Sequence, residues 1–363
     1  MTIKVNVHKN LTLIKQKKKQ LLFKNNKFNY KNIIIFFFDT ISRTHFHRKF
    51  QKTLKFLNEF SKYEPNYKKK NITIFEFFKY HSIKDNTDPN LKATYYGINN
   101  RNKKGNNFAN HFSDNGFIIG RSNTYCEKEC IFNGRKLHKH AHWDHENLSL
   151  ACLKALYNSI FINPLNSVIT KCLLGRQIFE YSLDYLESFW NCYKNEKKMF
   201  LLQILEGHEP TNQVIGHLDD ILYKFLIKFY SNSFLKDTVF IIFSDHGEHL
   251  NGYLHLTKSR EYYYEKTLPT LFLIIPNNDL LFENNLYEIM KNNQQIFITP
   301  FDIHDTLIHL AFGNNEIQYK KHKTSFGDSL FKKINYKIRY CQSPFYNYNI
   351  KQCNCKKKNY NIY

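Results

Sequence analysis

Apolar runs long enough to cross a membrane are missing from this 363-residue chain. A spanning helix needs about 20 consecutive apolar residues, and Ile33–Phe38 offers only six. Residues 1–30 are polar and rich in Lys and Asn, without the apolar stretch of a secretory signal. Glycine and proline are scarce, at 12 and 8 residues, and nowhere gather into a linker, so one large α/β domain is the economical expectation. Internal repeats are absent. Acidic residues are few, 31 against 53 Lys and Arg, which leaves a formal charge of +22. Such a balance suits a polyanion partner, yet the lysines are scattered apart from Lys17-Lys18-Lys19, Lys68-Lys69-Lys70 and Lys356-Lys357-Lys358. No zinc-finger, RNP-like or helix-turn-helix signature accompanies them, so no nucleic-acid partner is expected. The eight cysteines form no paired C-x-x-C zinc framework; their even number fits disulfides of the secretory pathway or free thiols.

What the chain does have is strands alternating with helices. Ile33–Phe38, Ile72–Phe78, Met199–Leu205, Val239–Phe243 and Leu271–Ile275 are apolar on both faces, the pattern of strands in a parallel sheet covered by helices. Phe117–Ile119 is a shorter candidate. Helical spacing marks Ser42–Phe60, Phe179–Tyr193, Ile215–Phe229 and a last helix opened by Thr299-Pro300. The expected fold is a doubly wound, mostly parallel sheet with helices on both faces. The expected divisions are a polar arm at 1–30, a domain at 31–333 with an irregular Cys-containing insertion at about 98–175, and a Cys-containing tail at 334–363.

Three of these strands end on polar groups. Ile33–Phe38 runs into Asp39-Thr40, Met199–Leu205 into Glu206-Gly207-His208-Glu209, and Val239–Phe243 into Ser244-Asp245-His246-Gly247-Glu248. The C-terminal edge of an open α/β sheet is where ligands bind, and an Asp beside a His is held there most easily by a cation. Thr87, two residues before Pro89, falls at a helix start, where it serves either as a cap or beside the free N–H groups that hold an anion. A Thr hydroxyl near a bound cation ionises more readily than one in water. The polar island His138, His140, His142, Asp144, His145, Glu146 invites a metal reading, but no apolar strand delivers it to the sheet edge, and a structural or surface role is the simpler expectation.

On these motifs the chain resembles the alkaline-phosphatase-like superfamily, which includes sulfatases and phosphoethanolamine transferases, and within it the sulfatase-like extracellular group DUF229. Ile35–Arg43, IFFFDTISR, looks like that group's hydrophobic run followed by DSxSR. Thr87, with Gly97 ten residues later, has the spacing of the sulfatase signature and falls where the transferases carry a Thr nucleophile. Ser244–Glu248 with Tyr253-Leu254-His255 is similar to SDHGE…YLH, Gly207–Pro210 to SHGP, and Trp143–Glu146 with Cys152 to DHE…C.

The resemblance implies a metal-dependent hydrolase or phospho-group transferase acting on phosphate or sulfate esters, carried on glycan or lipid. By that likeness Asp39, Thr87, Asp245 and His246 bind a divalent ion, zinc rather than calcium. Thr87 is the nucleophile, and His208 and His255 bind a second ion or touch the transferred group. Asn90 and Lys258 contact the substrate. The alternative is an inactive sulfatase-like extracellular binding protein. Asp39 is followed by Thr40 where sulfatases have a second Asp, and Thr87 cannot become formylglycine, which favours phosphoester chemistry. The family's habit further implies an extracellular or secretory location and a targeting or anchoring segment beyond this sequence. With the even cysteine count, it also implies at least two disulfides, with Cys341 and one of Cys353 or Cys355 bonded in or to the tail.

Overall fold

The computed structural model describes residues 3–24, 30–61, 71–98, 105–125, 141–148, 150, 172–248, 256, 260–277 and 285–341. Nine strands are described: β1 (Asn32–Phe38), β2 (Ile72–Glu76), β3 (Ile118–Asn123), β4 (His145–Asn147), β5 (Cys172–Leu173), β6 (Arg176–Gln177), β7 (Lys198–Ile204), β8 (Thr238–Ser244) and β9 (Leu271–Pro276). Seven form one sheet in the order β2-β9-β8-β1-β7-β3-β4, and β5 and β6 make a separate two-stranded ribbon. β1 pairs in parallel with both β7 and β8, and β3 with β7 and β4. Only β9 runs against its neighbours β8 and β2.

Strand periodicity explains why the apolar runs are unbroken. In β1, Ile33, Ile35 and Phe37 point into one core while Ile34, Phe36 and Phe38 point into the other. β8 divides the same way, with Val239, Ile241 and Phe243 on one face and Phe240 and Ile242 on the opposite one. Successive side chains alternate across a strand, so a strand covered on both faces favours an apolar residue at nearly every position. Helices Arg43–Lys49, Gln51–Ser61, Ile178–Cys192 and Asp219–Ser231 cover one face through Phe46, Leu57, Phe189 and Phe229. Thr87–Tyr96, Phe108–Asp114, Leu286–Asn293 and Pro300–Phe312 cover the other through Tyr95, Phe112, Met290 and Leu307. The sequence expectation of a mostly parallel sheet between two helical layers holds.

The structure departs from the sequence reading in three places. The expected single helix from Ser42 to Phe60 is two, separated at Phe50, whose backbone leaves helical geometry (φ −108°, ψ 54°) while its ring stacks on Phe46 at 4.4 Å. In the N-terminal arm, Leu11–Lys24 is a helix. It docks by few groups, among them Ile14 and Lys17, whose ammonium reaches Ser113 Oγ at 2.6 Å and Asp144 Oδ2 at 3.3 Å. The polar island does reach the sheet: His145–Asn147 is the edge strand β4, too short and polar to announce itself. Its described groups are spent structurally, His145 Nε2 on Tyr193 Oη at 2.7 Å and Glu146 on Arg121 at 2.5 Å.

Candidate metal centre

β1 and β8 lie side by side, with Phe38 opposite Ser244, so their next residues, Asp39 and Asp245-His246, emerge together at the C-terminal edge. The turn after β8 is drawn in tightly. A Cβ on Gly247 would sit 1.6 Å from the Glu265 carbonyl, and Gly247 N–H donates to the Lys266 carbonyl at 2.9 Å. Only glycine permits that approach. Ser244 Oγ closes the turn from within, donating to the His246 carbonyl at 2.9 Å and accepting from Ile41 N–H at 2.9 Å.

Thr87 arrives from the helical layer as the first residue of Thr87–Tyr96, with Asn86 in the cap position. The loop before it is stapled by Asn90. Its side-chain oxygen accepts from Ile83 N–H at 2.8 Å and Lys84 N–H at 3.4 Å, and its NH2 donates to the Lys84 and Asn86 carbonyls, both at 2.9 Å. An amide has four such valences, so Asn90 is fully used in shaping the loop that presents Thr87. The helix stops at Gly97, in left-handed conformation at φ +63°. A Cβ there would lie 2.6 Å from Thr324 Cγ2 and 2.7 Å from His304 Nε2. Gly97→Ala is therefore expected to cost about 2–5 kcal/mol, combining left-handed strain and overpacking, read as a lower urea midpoint with an unchanged m-value.

The four groups converge. Thr87 Oγ1 lies 3.2 Å from His246 Nε2 and 3.4 Å from Asp39 Oδ1; His246 Nε2 lies 3.3 Å from Asp245 Oδ2 and 3.9 Å from Asp39 Oδ1. All four residues are buried, and ligand atoms of Asp39, Asp245 and His246 come within 4.8 Å of one another. The tautomer of His246 follows from its partner. Nδ1 sits 2.8 Å from the Gly247 carbonyl, which can only accept, so Nδ1 carries the proton and Nε2 turns a lone pair inward. Asp245 Oδ1 is held by the amides of Thr40 at 3.2 Å and His246 at 2.8 Å, whereas Oδ2 is buried and accepts no hydrogen bond.

The centre therefore gathers the Asp39 carboxylate, Asp245 Oδ2 and a His lone pair with few protons to share, the Thr40 hydroxyl on Asp39 Oδ1 and the Thr87 hydroxyl beside it. Burial holds Asp245 up at about 6, raises Asp39 together with the neighbouring Asp245 charge, and is the largest influence lowering His246. A cation removes this frustration, because it favours the anionic carboxylates and the neutral imidazole at once. The donor set, two carboxylates, one imidazole and a hydroxyl, fits a small borderline ion such as zinc. Among the described residues this is the one cluster of three acidic, His or Cys groups with metal-ligand spacing.

His208 follows β7 and is half-buried. Glu209 fixes its loop by accepting from Thr211 N–H at 2.6 Å and Gln213 N–H at 2.7 Å. His255 and Lys258 lie outside the described residues. Sequence reasoning missed Thr40, which contacts both carboxylates; its signal was its place between the strand end and Ser42.

Solved structures share this fold at low identity. The soluble domain of lipooligosaccharide phosphoethanolamine transferase A from Neisseria meningitidis superposes with a TM-score of 0.50 at 11% identity, covering 81% of this chain and 94% of that one. The C-terminal periplasmic domain of EcEptC from Escherichia coli, in complex with Zn, gives 0.54 at 12%, covering 93% and 94%. A protein in the alkaline phosphatase superfamily from Vibrio parahaemolyticus gives 0.52 at 14%, covering 90% and 78%. No curated protein matches the sequence. The model of the family described as protein of unknown function (DUF229) matches residues 3–119 and 153–361, and the chain belongs to that family.

Proposed function

We propose that the protein is a zinc-dependent enzyme that transfers or hydrolyses phosphate esters through a covalent intermediate on Thr87. One observation carries the reading: the Thr87 hydroxyl stands at a helix N-terminus within 3.4 Å of an acceptor-rich, cation-seeking centre. Asp39, Asp245, His246 and the Thr87 oxygen would hold the ion, which when bound supplies positive charge against the developing phosphoryl oxygens and makes the Thr87 hydroxyl easier to ionise. The helix N-terminus adds free N–H groups to the same task. Thr87 Oγ, its proton lost to solvent, forms the new bond to phosphorus as the ester P–O bond breaks. By the family resemblance, His208 would give the leaving oxygen its proton. Water or an acceptor hydroxyl then attacks the phosphothreonine and restores Thr87.

The Neisseria structure, a phosphoethanolamine transferase, and the zinc in the Escherichia coli domain support phosphoester chemistry at a metal, and a Thr at position 87, which cannot become formylglycine, weighs against the sulfatase route. Asn90 is assigned to positioning Thr87, since its amide is spent on the loop. The family resemblance adds His255 and Lys258 as groups facing the substrate. Extracellular placement and the domain limits 31–333 are part of the proposal. The periplasmic relative supports the placement, as does Cys341, which is buried and not among the free thiols Cys172 and Cys192. Among the described residues no helix is long and apolar enough to cross a membrane.

Elemental analysis combined with a screen of aryl phosphate monoesters, diesters and aryl sulfate tests the reading. The expected result is near-stoichiometric zinc and chelator-sensitive turnover of phosphate esters. Purified protein without metal and without turnover on any of the three classes would leave the fold as a binding protein.

A further inference from the structure

The residue after the first strand-end carboxylate is Thr40, buried, with φ +64°. A β-branched residue in left-handed conformation is an outlier that persists only where its surroundings demand it. Glycine or asparagine would occupy the position with less strain. What Thr offers beyond either is a hydroxyl at a fixed place, and that hydroxyl donates to Asp39 Oδ1 at 2.7 Å. This is the carboxylate oxygen that faces Thr87 Oγ1 at 3.4 Å and His246 Nε2 at 3.9 Å. The backbone amide of Thr40 points the other way across the strand pair and donates to Asp245 Oδ1 at 3.2 Å, which leaves Asp245 Oδ2 turned inward. The two carboxylates come from neighbouring strands and share no covalent link shorter than two hundred residues. Thr40 is hydrogen-bonded to both, through its hydroxyl to one and its amide to the other.

We infer that Thr40 is the positioning residue of the metal centre, its strained backbone aiming Asp245 and its hydroxyl fixing Asp39 so that the carboxylates are set for a cation before it arrives. The inference rests on the metal reading of the centre. Outer hydrogen bonds to metal-binding carboxylates tune affinity by about 10–100-fold, and preorganisation is lost when the orienting donor goes. Thr40→Val removes the hydroxyl and keeps shape and amide. Thr40→Ser keeps the hydroxyl and relieves the β-branch. Thr40→Gly relieves the strain and supplies no hydroxyl.

The test measures the Zn2+ dissociation constant of each purified full-length variant by competition with a chromogenic chelator, alongside the unfolding temperature of the metal-free protein. Thr40→Val and Thr40→Gly are expected to bind Zn2+ about 10–100-fold more weakly than wild type, and Thr40→Ser within about 3-fold. Thr40→Gly is expected to unfold at the wild-type temperature or above, because strain is removed; a purely structural role for Thr40 would make it less stable without weakening zinc. The Gly variant keeps the inference open to refutation should Thr40→Val fail to fold. Wild-type affinity in Thr40→Gly or Thr40→Val overturns the role of Thr40 while the metal centre stands. A wild-type protein that takes up no Zn2+ in the same assay overturns the metal reading, and this inference with it.

Discussion

Asp245→Asn is expected to lose bound zinc and yet to be more stable than wild type once both are stripped of metal. The first half follows from charge. Asp245 Oδ2 is the inward atom without a hydrogen bond, 3.3 Å from the His246 lone pair, and an amide there offers no negative charge to a cation. The second half follows from what wild type tolerates when empty: a buried carboxylate oxygen facing another acceptor costs several kcal/mol unless something positive or protic intervenes. Asparagine keeps Oδ1, with its bonds from the Thr40 and His246 amides, and puts an N–H donor where Oδ2 was. That donor can satisfy His246 Nε2. Zinc should therefore raise the unfolding temperature of wild type and leave Asp245→Asn unmoved, since binding energy is folding energy here. Elemental analysis and thermal unfolding with and without chelator check both halves. Full zinc content in the variant would sink the assignment of Asp245, and a metal-free variant much less stable than metal-free wild type would show that the carboxylate is not frustrated.

The strands of the central sheet were legible because they are covered on both faces. A run such as Ile33–Phe38 has no amphipathic alternative, so it reads as a strand, and its end marks where Asp39 must emerge. The same property hid direction: Leu271–Pro276 is equally apolar read either way, and its antiparallel pairing with β8 is fixed by tertiary context alone. Leu11–Lys24 escaped because a helix that buries little more than Ile14 and Lys17 needs no apolar stripe. β4 escaped because three residues on an edge can be polar. At the site, residue types that chelate cations were visible at strand ends, and spacing brought in Thr87. What spacing could not convey is how an individual side chain spends its valences. Asn90 sits one turn from Thr87, and its sequence position does not reveal the four bonds it makes to residues 83, 84 and 86. Thr40 looks like an ordinary turn residue until its φ of +64° and its two carboxylate partners are seen.

Thr87→Ala should lower turnover by about four orders of magnitude or more, the scale on which removal of a covalent nucleophile is felt, while zinc remains bound through Asp39, Asp245 and His246. Competing hydroxyls are already committed elsewhere. Ser42 Oγ caps its helix by accepting from His45 N–H at 2.9 Å and is in hydrogen-bond contact with Glu265. Thr53 lies inside helix Gln51–Ser61, is buried, and donates to the Asp219 carbonyl at 3.3 Å. Among the described residues, it is Thr87 whose hydroxyl lies against both the His246 lone pair and the Asp39 carboxylate, at the first position of a helix whose entry loop Asn90 holds in place. Thr87→Ser keeps that oxygen and should retain measurable activity, losing at most the rotamer restriction that the γ-methyl provides. Asn90→Ala, which leaves the hydroxyl present but frees its loop, should fall between the two and lower turnover with zinc affinity little changed. Rapid quenching with an aryl phosphate followed by peptide mapping identifies the adduct directly. A phosphoryl group trapped on Ser42 or Thr53, or Thr87→Ala protein turning over at a near-normal rate, would remove Thr87 from the reaction and leave its contacts with the centre purely structural.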